Sequence, residues 1–148
     1  MNDQPIEVAI AILYTTDQFL LQLRDNIPGI VYPGCWGLFG GHLEAGEVPE
    51  AAVKRELIEE INYSPPSVAQ FRSYVNADVI RHVYHAPLTV KLNQLVLGEG
   101  LDMGLLTLEE IRQGKGYSEK ADQVRPLGSI HQQILLDFID STIHNSTI

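Results

Sequence analysis

The segment PEAAVKRELIEEI, residues 49–61, limits what this chain can fold into more than any other. Pro49 suits the first turn of a helix, where its missing N–H would be unpaired anyway. Val48 before it brings no capping side chain. At roughly 100° per residue, Val53, Leu57, Ile61 and Ile58 form one broad apolar face. Glu60, Glu56, Ala52 and Glu59 are assigned to the opposite face, within an arc of about 100°. Like charges at this spacing repel and weaken a helix. Arg55, one turn before Glu59, is placed to pair with it. The fold must therefore bury one side of this helix and find a use for the carboxylates on the other.

The plainest use is a solvated acidic face, which most charge runs are. Three features favour a second use. The acidic arc has no interleaved lysine, a Gly40-Gly41 turn precedes it, and Glu47 stands just before the helix. Hard divalent cations such as Mg²⁺ take carboxylate oxygens and share them with substrate phosphates. A bound cation turns the repulsion into binding energy.

Strand signals lie on both sides of this helix. Ile6–Thr15 and Phe19–Arg24 read as β-strands from their β-branched and apolar content. Asp25–Gly34, with two prolines and two glycines, reads as a loop. Its Ile30, Val31 and Tyr32 are apolar for such a loop and are placed to cover the core or to line a pocket. Cys35–Gly41 is a short extended piece leading into the helix. After a break at Ser64-Pro65-Pro66-Ser67, Val68–Ile80 and His82–Leu92 read as paired strands. Val96–Gly104 is glycine-punctuated and leads to a short helix with a capping box of Thr107 and Glu110. A second box, Ser129 and Gln132, opens the last helix, whose apolar face is Ile130, Ile134, Leu135, Phe138 and Ile139. Interleaved helices and strands with no repeat or long linker predict one α/β layered domain.

Composition excludes several function classes. The net charge of −9 argues against a nucleic-acid polymer or membrane surface as partner, since phosphate surfaces attract a basic face. It leaves room for a small anionic substrate if a metal supplies local positive charge. Cys35 is the single cysteine, so no internal disulfide forms, and it reads as a packing residue. The N-terminal stretch has no basic region followed by a long apolar run. No apolar stretch approaches the roughly 18 residues of a membrane span. A cytoplasmic protein is expected.

Gly41, Glu47, Arg55, Glu56, Leu57, Glu59 and Glu60 fit the pattern G-x5-E-x7-R-E-L-x-E-E. This run resembles the Nudix box of the Nudix, or MutT-like, hydrolases, and Gly41–Tyr63 covers it. The resemblance implies an αβα sandwich with a mixed β-sheet, spanning residues 1–148 as a single hydrolase domain. It implies a Mg²⁺-dependent hydrolase, with Mn²⁺ as a substitute, acting on a nucleoside diphosphate linked to another moiety X. Nucleoside triphosphates, sugar nucleotides and ADP-ribose all fit that description.

It also implies roles. Glu56, Glu59 and Glu60 become metal ligands, one of them able to orient or deprotonate the water, with the Gly41 carbonyl as a further ligand. Arg55 steers the carboxylates and Glu47 supports it. Many relatives take a base or a fourth ligand from a loop beyond the box, and Glu99 in Leu97-Gly98-Glu99-Gly100 is the candidate here; Asp102 and Glu109 are its competitors. Arg24 is a candidate phosphate contact or a surface residue, and His42, at a variable box position, a candidate substrate contact. His82 and His85, three apart in a strand, should point to opposite faces and read as structural. The rival class is a non-catalytic nucleotide-sensing module on the same fold, which would be expected to lose box carboxylates; this chain keeps them.

Two positions depart from the family pattern. Asn62-Tyr63 stands where the box normally ends in glycine and an apolar residue. Asparagine tolerates left-handed backbone next best, so the turn should survive. Phe39-Gly40-Gly41 stands where many relatives have Pro-Gly-Gly.

Overall fold

The computed structural model describes residues 4–30 and 32–146. The chain forms two compact units. One contains the residues up to Thr15 and Phe39–Gly98, the other Thr16–Leu38 and the residues from Glu99 onward. No helix among the described residues is long and apolar enough to cross a membrane.

The first unit is built on β1 (Ile6–Tyr14), β4 (Phe39–His42), α1 (Pro49–Ile61), β5 (Ala69–Val75) and β6 (Val79–Pro87). β1 runs parallel to β6 and antiparallel to β4, and β5 pairs antiparallel with β6 through a bulge between Gln70 and Arg72. Parallel and antiparallel pairs in one sheet make it mixed, as the α/β class expected here requires. α1 packs on β4, β1 and β6. Val53, Leu57 and Ile61 are fully buried there, with Ile12, Phe39 and Val83. Removing one such side chain, as in Leu57→Ala, costs about 2–5 kcal/mol.

The second unit contains β2 (Gln18–Leu23), β3 (Trp36–Gly37), β7 (Asp102–Thr107), α2 (Leu108–Gln113), β8 (Lys115–Ser118), β9 (Gln123–Pro126) and α3 (Ser129–Ser146). β2 pairs antiparallel with both β3 and β7, and β8 and β9 form a hairpin. Trp36 is buried and its indole N–H donates to the Gly116 carbonyl at 2.9 Å. Cys35 is half-buried, its thiol 3.6 Å from the Pro33 carbonyl.

Several expectations change. The strand expected over Val68–Ile80 ends at Val75, and β6 begins at Val79. The Asn76 side chain accepts the N–H groups of Asp78 and Val79, closing an Asx turn without glycine or proline. Asp102–Gly104, read as the end of the glycine-punctuated stretch, instead opens β7, which pairs with β2. The Thr107–Glu110 box forms as expected. The Ser129–Gln132 box does not form: the Gln132 N–H donates to the Gly128 carbonyl, so Gly128, without a capping side chain, occupies the N-cap. The Gln132 amide instead donates to the carbonyls of Ile111 and Arg112. Of the apolar loop residues, Ile30 and Tyr32 are half-buried, Tyr32 against His131, and Val31 lies outside the described residues.

The faces of α1 also differ from expectation. Ile58 is 51% exposed, whereas Ala52 and Glu60 are buried. Glu60 lies seven residues from Val53, about −20° around the helix, inside the buried arc rather than opposite it. Ile58 lies about 140° from Val53, beyond the reach of the sheet.

Candidate active site

Glu60 is buried because β4 gives its charge a partner. Its carboxylate accepts the Gly40 N–H at 3.0 Å. Its backbone carbonyl accepts the Gly98 N–H at 2.7 Å, and that of Ile61 accepts Val96 at 3.1 Å. These bonds satisfy carbonyls that a helix end leaves without an intrahelical donor. Asn62 closes the helix in the left-handed region, at φ 54° and ψ 43°. Its neighbour Tyr63 fills the apolar box position with a buried ring, and its hydroxyl lies 2.8 Å from that of Thr89. Both departures at the end of the box therefore keep the turn.

Arg55 is the centre of the site. Its Nε donates to Glu47 Oε2 at 2.8 Å and its Nη2 to Glu47 Oε1 at 2.9 Å, a forked pair. Nη2 also donates to the His42 carbonyl at 3.0 Å. Nη1 donates to Glu56 Oε1 at 3.0 Å and Glu59 Oε2 at 3.2 Å. Glu44 stands 3.7 Å from Nε. Four carboxylates and a carbonyl thus surround one guanidinium. The Arg55 bonds and the Glu44 N–H hold the Glu47 carboxyl down at about 2, well below the ordinary glutamate value. The same Glu47 bonds, and then Glu56, push the Arg55 guanidinium above its ordinary range.

Glu44 went unseen in the sequence, and Gly40 was read as half of a turn but not as the donor to Glu60. Glu44–Glu47 is a turn in which the Glu47 N–H donates to the Glu44 carbonyl and Gly46 takes φ 77°. Glycine in the third place of a four-residue turn was the available signal, since it brings the end residues together. Gly41 has a separate reason to lack a side chain: a Cβ there would collide with the Glu56 carboxylate.

The structure gathers Gly41, His42, Glu47, Arg55, Glu56, Glu59 and Glu60 within the first unit. His42 is exposed, and Glu59 more so than Glu56, with side-chain exposures of 56% and 15%. Arg24, which follows β2, and the exposed Glu99 belong to the second unit. Gly98 lacks room for a side chain, because a Cβ would lie 2.9 Å from the Glu59 carbonyl. Asp102 is buried, accepting its own strand's Met103 N–H and the Ser118 hydroxyl at 2.7 Å. Glu109 lies in the first turn of α2 and accepts the Gln113 amide. His82 bridges Glu7 at 2.8 Å and Ser73 at 3.2 Å, and His85 stacks on Tyr14.

The donor set suits a hard cation. Glu56 and Glu59 already direct one oxygen each at a single cationic nitrogen. Among the described residues, no three His, Cys, Asp or Glu side chains are grouped as a metal site. Glu60 is turned toward Gly40 instead.

The family model described as NUDIX domain matches residues 4–132. No curated protein matches the chain in sequence. Solved structures do match in fold. The NUDIX domain of Shewanella oneidensis NrtR, complexed with ADP ribose, superposes with a TM-score of 0.73 at 21% identity, covering 95% of this chain and 90% of that one. The MutT NUDIX hydrolase from Burkholderia pseudomallei gives 0.66 at 22% identity, covering 87% and 94%. A bifunctional NMN adenylyltransferase/ADP ribose pyrophosphatase from Francisella tularensis, complexed with AMP and a Mn ion, gives 0.67 at 21% identity, covering 95% of this chain and 42% of that one. With the family model matching most of its length and the glutamate helix in place, the chain belongs to the Nudix hydrolase family.

Proposed function

We propose that this protein hydrolyses a phosphoanhydride bond in a nucleoside diphosphate linked to a second moiety X, and that residues 1–148 act as one cytoplasmic hydrolase domain. The observation that carries this reading is the convergence of Glu56 and Glu59 on the single Arg55 Nη1, at 3.0 and 3.2 Å. Carboxylates held in common by one cation are poised to share another. Mg²⁺, with Mn²⁺ as substitute, would be held by Glu56, Glu59, Glu60 and the Gly41 carbonyl and would offset charge on the phosphate oxygens. Arg55, anchored by Glu47, keeps Glu56 and Glu59 aimed. Glu99 accepts the proton of the attacking water, or joins the ligands. A new P–O bond forms to that water as the bond to the bridging oxygen breaks, and the leaving phosphate departs with that oxygen. Arg24 is assigned to a substrate phosphate and His42 to the substrate.

The test is a panel of nucleoside triphosphates, sugar nucleotides and ADP-ribose with Mg²⁺ or Mn²⁺, with product identification. Hydrolysis that stops in excess EDTA is expected. Full turnover in EDTA overturns the metal assignment, and tight nucleotide binding without turnover of any substrate favours the sensing module.

A further inference from the structure

Beside the β4–α1 loop lies an open cavity of about 470 Å³, lined by Ile6, Glu7, His42, Leu43, Glu44 and Glu47 among others. Nothing in the chemistry above uses its far wall, β1. That wall is ordered: Glu7 Oε1 sits 2.8 Å from His82 Nε2, which fixes the carboxylate as an acceptor. A carboxylate has about four acceptor sites, and His82 takes one. On the near wall Glu47 is fixed by Arg55, and Glu44 is 68% exposed. Ile6, 53% exposed, and Leu43 supply apolar surface between them. The lining residues include no lysine or arginine, and neighbouring Arg55 is already ringed by four carboxylates.

We propose that this cavity receives the X moiety, and that it selects an X bearing hydroxyl groups and no negative charge, a sugar rather than a phosphate. The proposal rests on the hydrolase reading. Oriented carboxylates accept hydroxyl protons, and the apolar strip suits the C–H face of a sugar ring. Two lining residues also border the cleavage machinery: the His42 carbonyl and the Glu47 carboxylate accept from Arg55, which donates to Glu56 and Glu59. A phosphate in X would face Glu7 and Glu44 without a countercharge, a penalty on the order of tenfold per close like charge.

The experiment compares kcat/KM for ADP-ribose and ADP-glucose with that for ATP, in wild type, Glu7→Gln and Glu7→Lys. The nucleoside diphosphate is constant, so only X varies. The expected result is a preference of about tenfold or more for the sugars in wild type. That ratio should narrow in Glu7→Gln and narrow further in Glu7→Lys. A ratio unchanged across the three proteins, or a wild-type preference for ATP, overturns the proposal. If wild type hydrolyses none of the three, the wider substrate panel decides the hydrolase reading, and amide chemical shifts of the metal-free protein decide the cavity alone. Shifts at Ile6, Glu7 and Leu43 on adding ADP-glucose, absent in Glu7→Lys, sustain it. Silence at those amides overturns it.

Discussion

Glu47 stays ionised at a pH where an ordinary glutamate is protonated, and this has a measurable sign. Its carboxyl titrates near 2 in the folded protein against an ordinary 4.5. A depressed folded value adds stability that is complete above the unfolded value and is lost as pH falls through the folded one. The Tm difference between wild type and Glu47→Gln should thus be constant above about pH 5 and shrink steadily between 4.5 and 2. A difference that stays flat down to pH 2 refutes the pairing. Glu60 is the second case. A carboxylate set among solvated acids would relieve repulsion when removed. Glu60 instead takes the Gly40 N–H in a buried position, so Glu60→Ala should lower metal-free stability by about 1–3 kcal/mol, the cost of an unsatisfied buried group. Urea unfolding without metal measures it, and a gain in stability would return Glu60 to the solvated face. At Glu99, the contrast is with Asp102. Glu99→Gln should lower kcat about 10²-fold or more with little change in Tm. Asp102→Asn should lower Tm through its bonds to Ser118 and Met103. Equal turnover by wild type and Glu99→Gln rules Glu99 out as the base.

At the scale of elements, α1 depends on its stop signal. Asn62 sits at φ 54°, where a Cβ without a local polar group is disfavoured. Asn62→Ala should cost about 1 kcal/mol, while Asn62→Gly should be neutral or better. Thermal unfolding of the two variants separates them, and equal losses would mean the cap contributes nothing. This helix was legible from end to end, because Pro49 and Asn62 are strong local signals and the box spacing fixes its polar residues. What the sequence hid was non-local. β7 reads as a glycine-rich loop until β2 is there to pair with it. The Asn76 turn uses neither glycine nor proline, so the break between the two strands was read at Arg81 instead. Glu60 was grouped with the other acids in one arc opposite the apolar face, although its helical angle put it among buried neighbours. Glu44, and the bond from Gly40 to Glu60, became visible only once the chain was folded.

For the molecule as a whole, nineteen acidic residues against ten basic ones mean that a bound divalent cation would stabilise the folded chain. A ligand at 100 times its Kd adds about 2.7 kcal/mol if it binds only the folded state. Mg²⁺ or Mn²⁺ alone, without nucleotide, should therefore raise Tm by several degrees. Calorimetry with each metal should show this in wild type and lose it in the Glu56→Gln, Glu59→Gln double variant. A shift of the same size in both proteins would place the stabilising metal elsewhere.

The four carboxylates around Arg55 also have an evolutionary consequence. Because they share one guanidinium, the loss of one lets the others redistribute around it, whereas the loss of Arg55 strands them all. Substitutions at Glu44, Glu47, Glu56 and Glu59 are thus epistatic, and their effects on folding do not sum. Arg55 is the position whose replacement has to come last, after the acids it neutralises have gone, so a lineage can abandon this chemistry far more readily in one order than in the other.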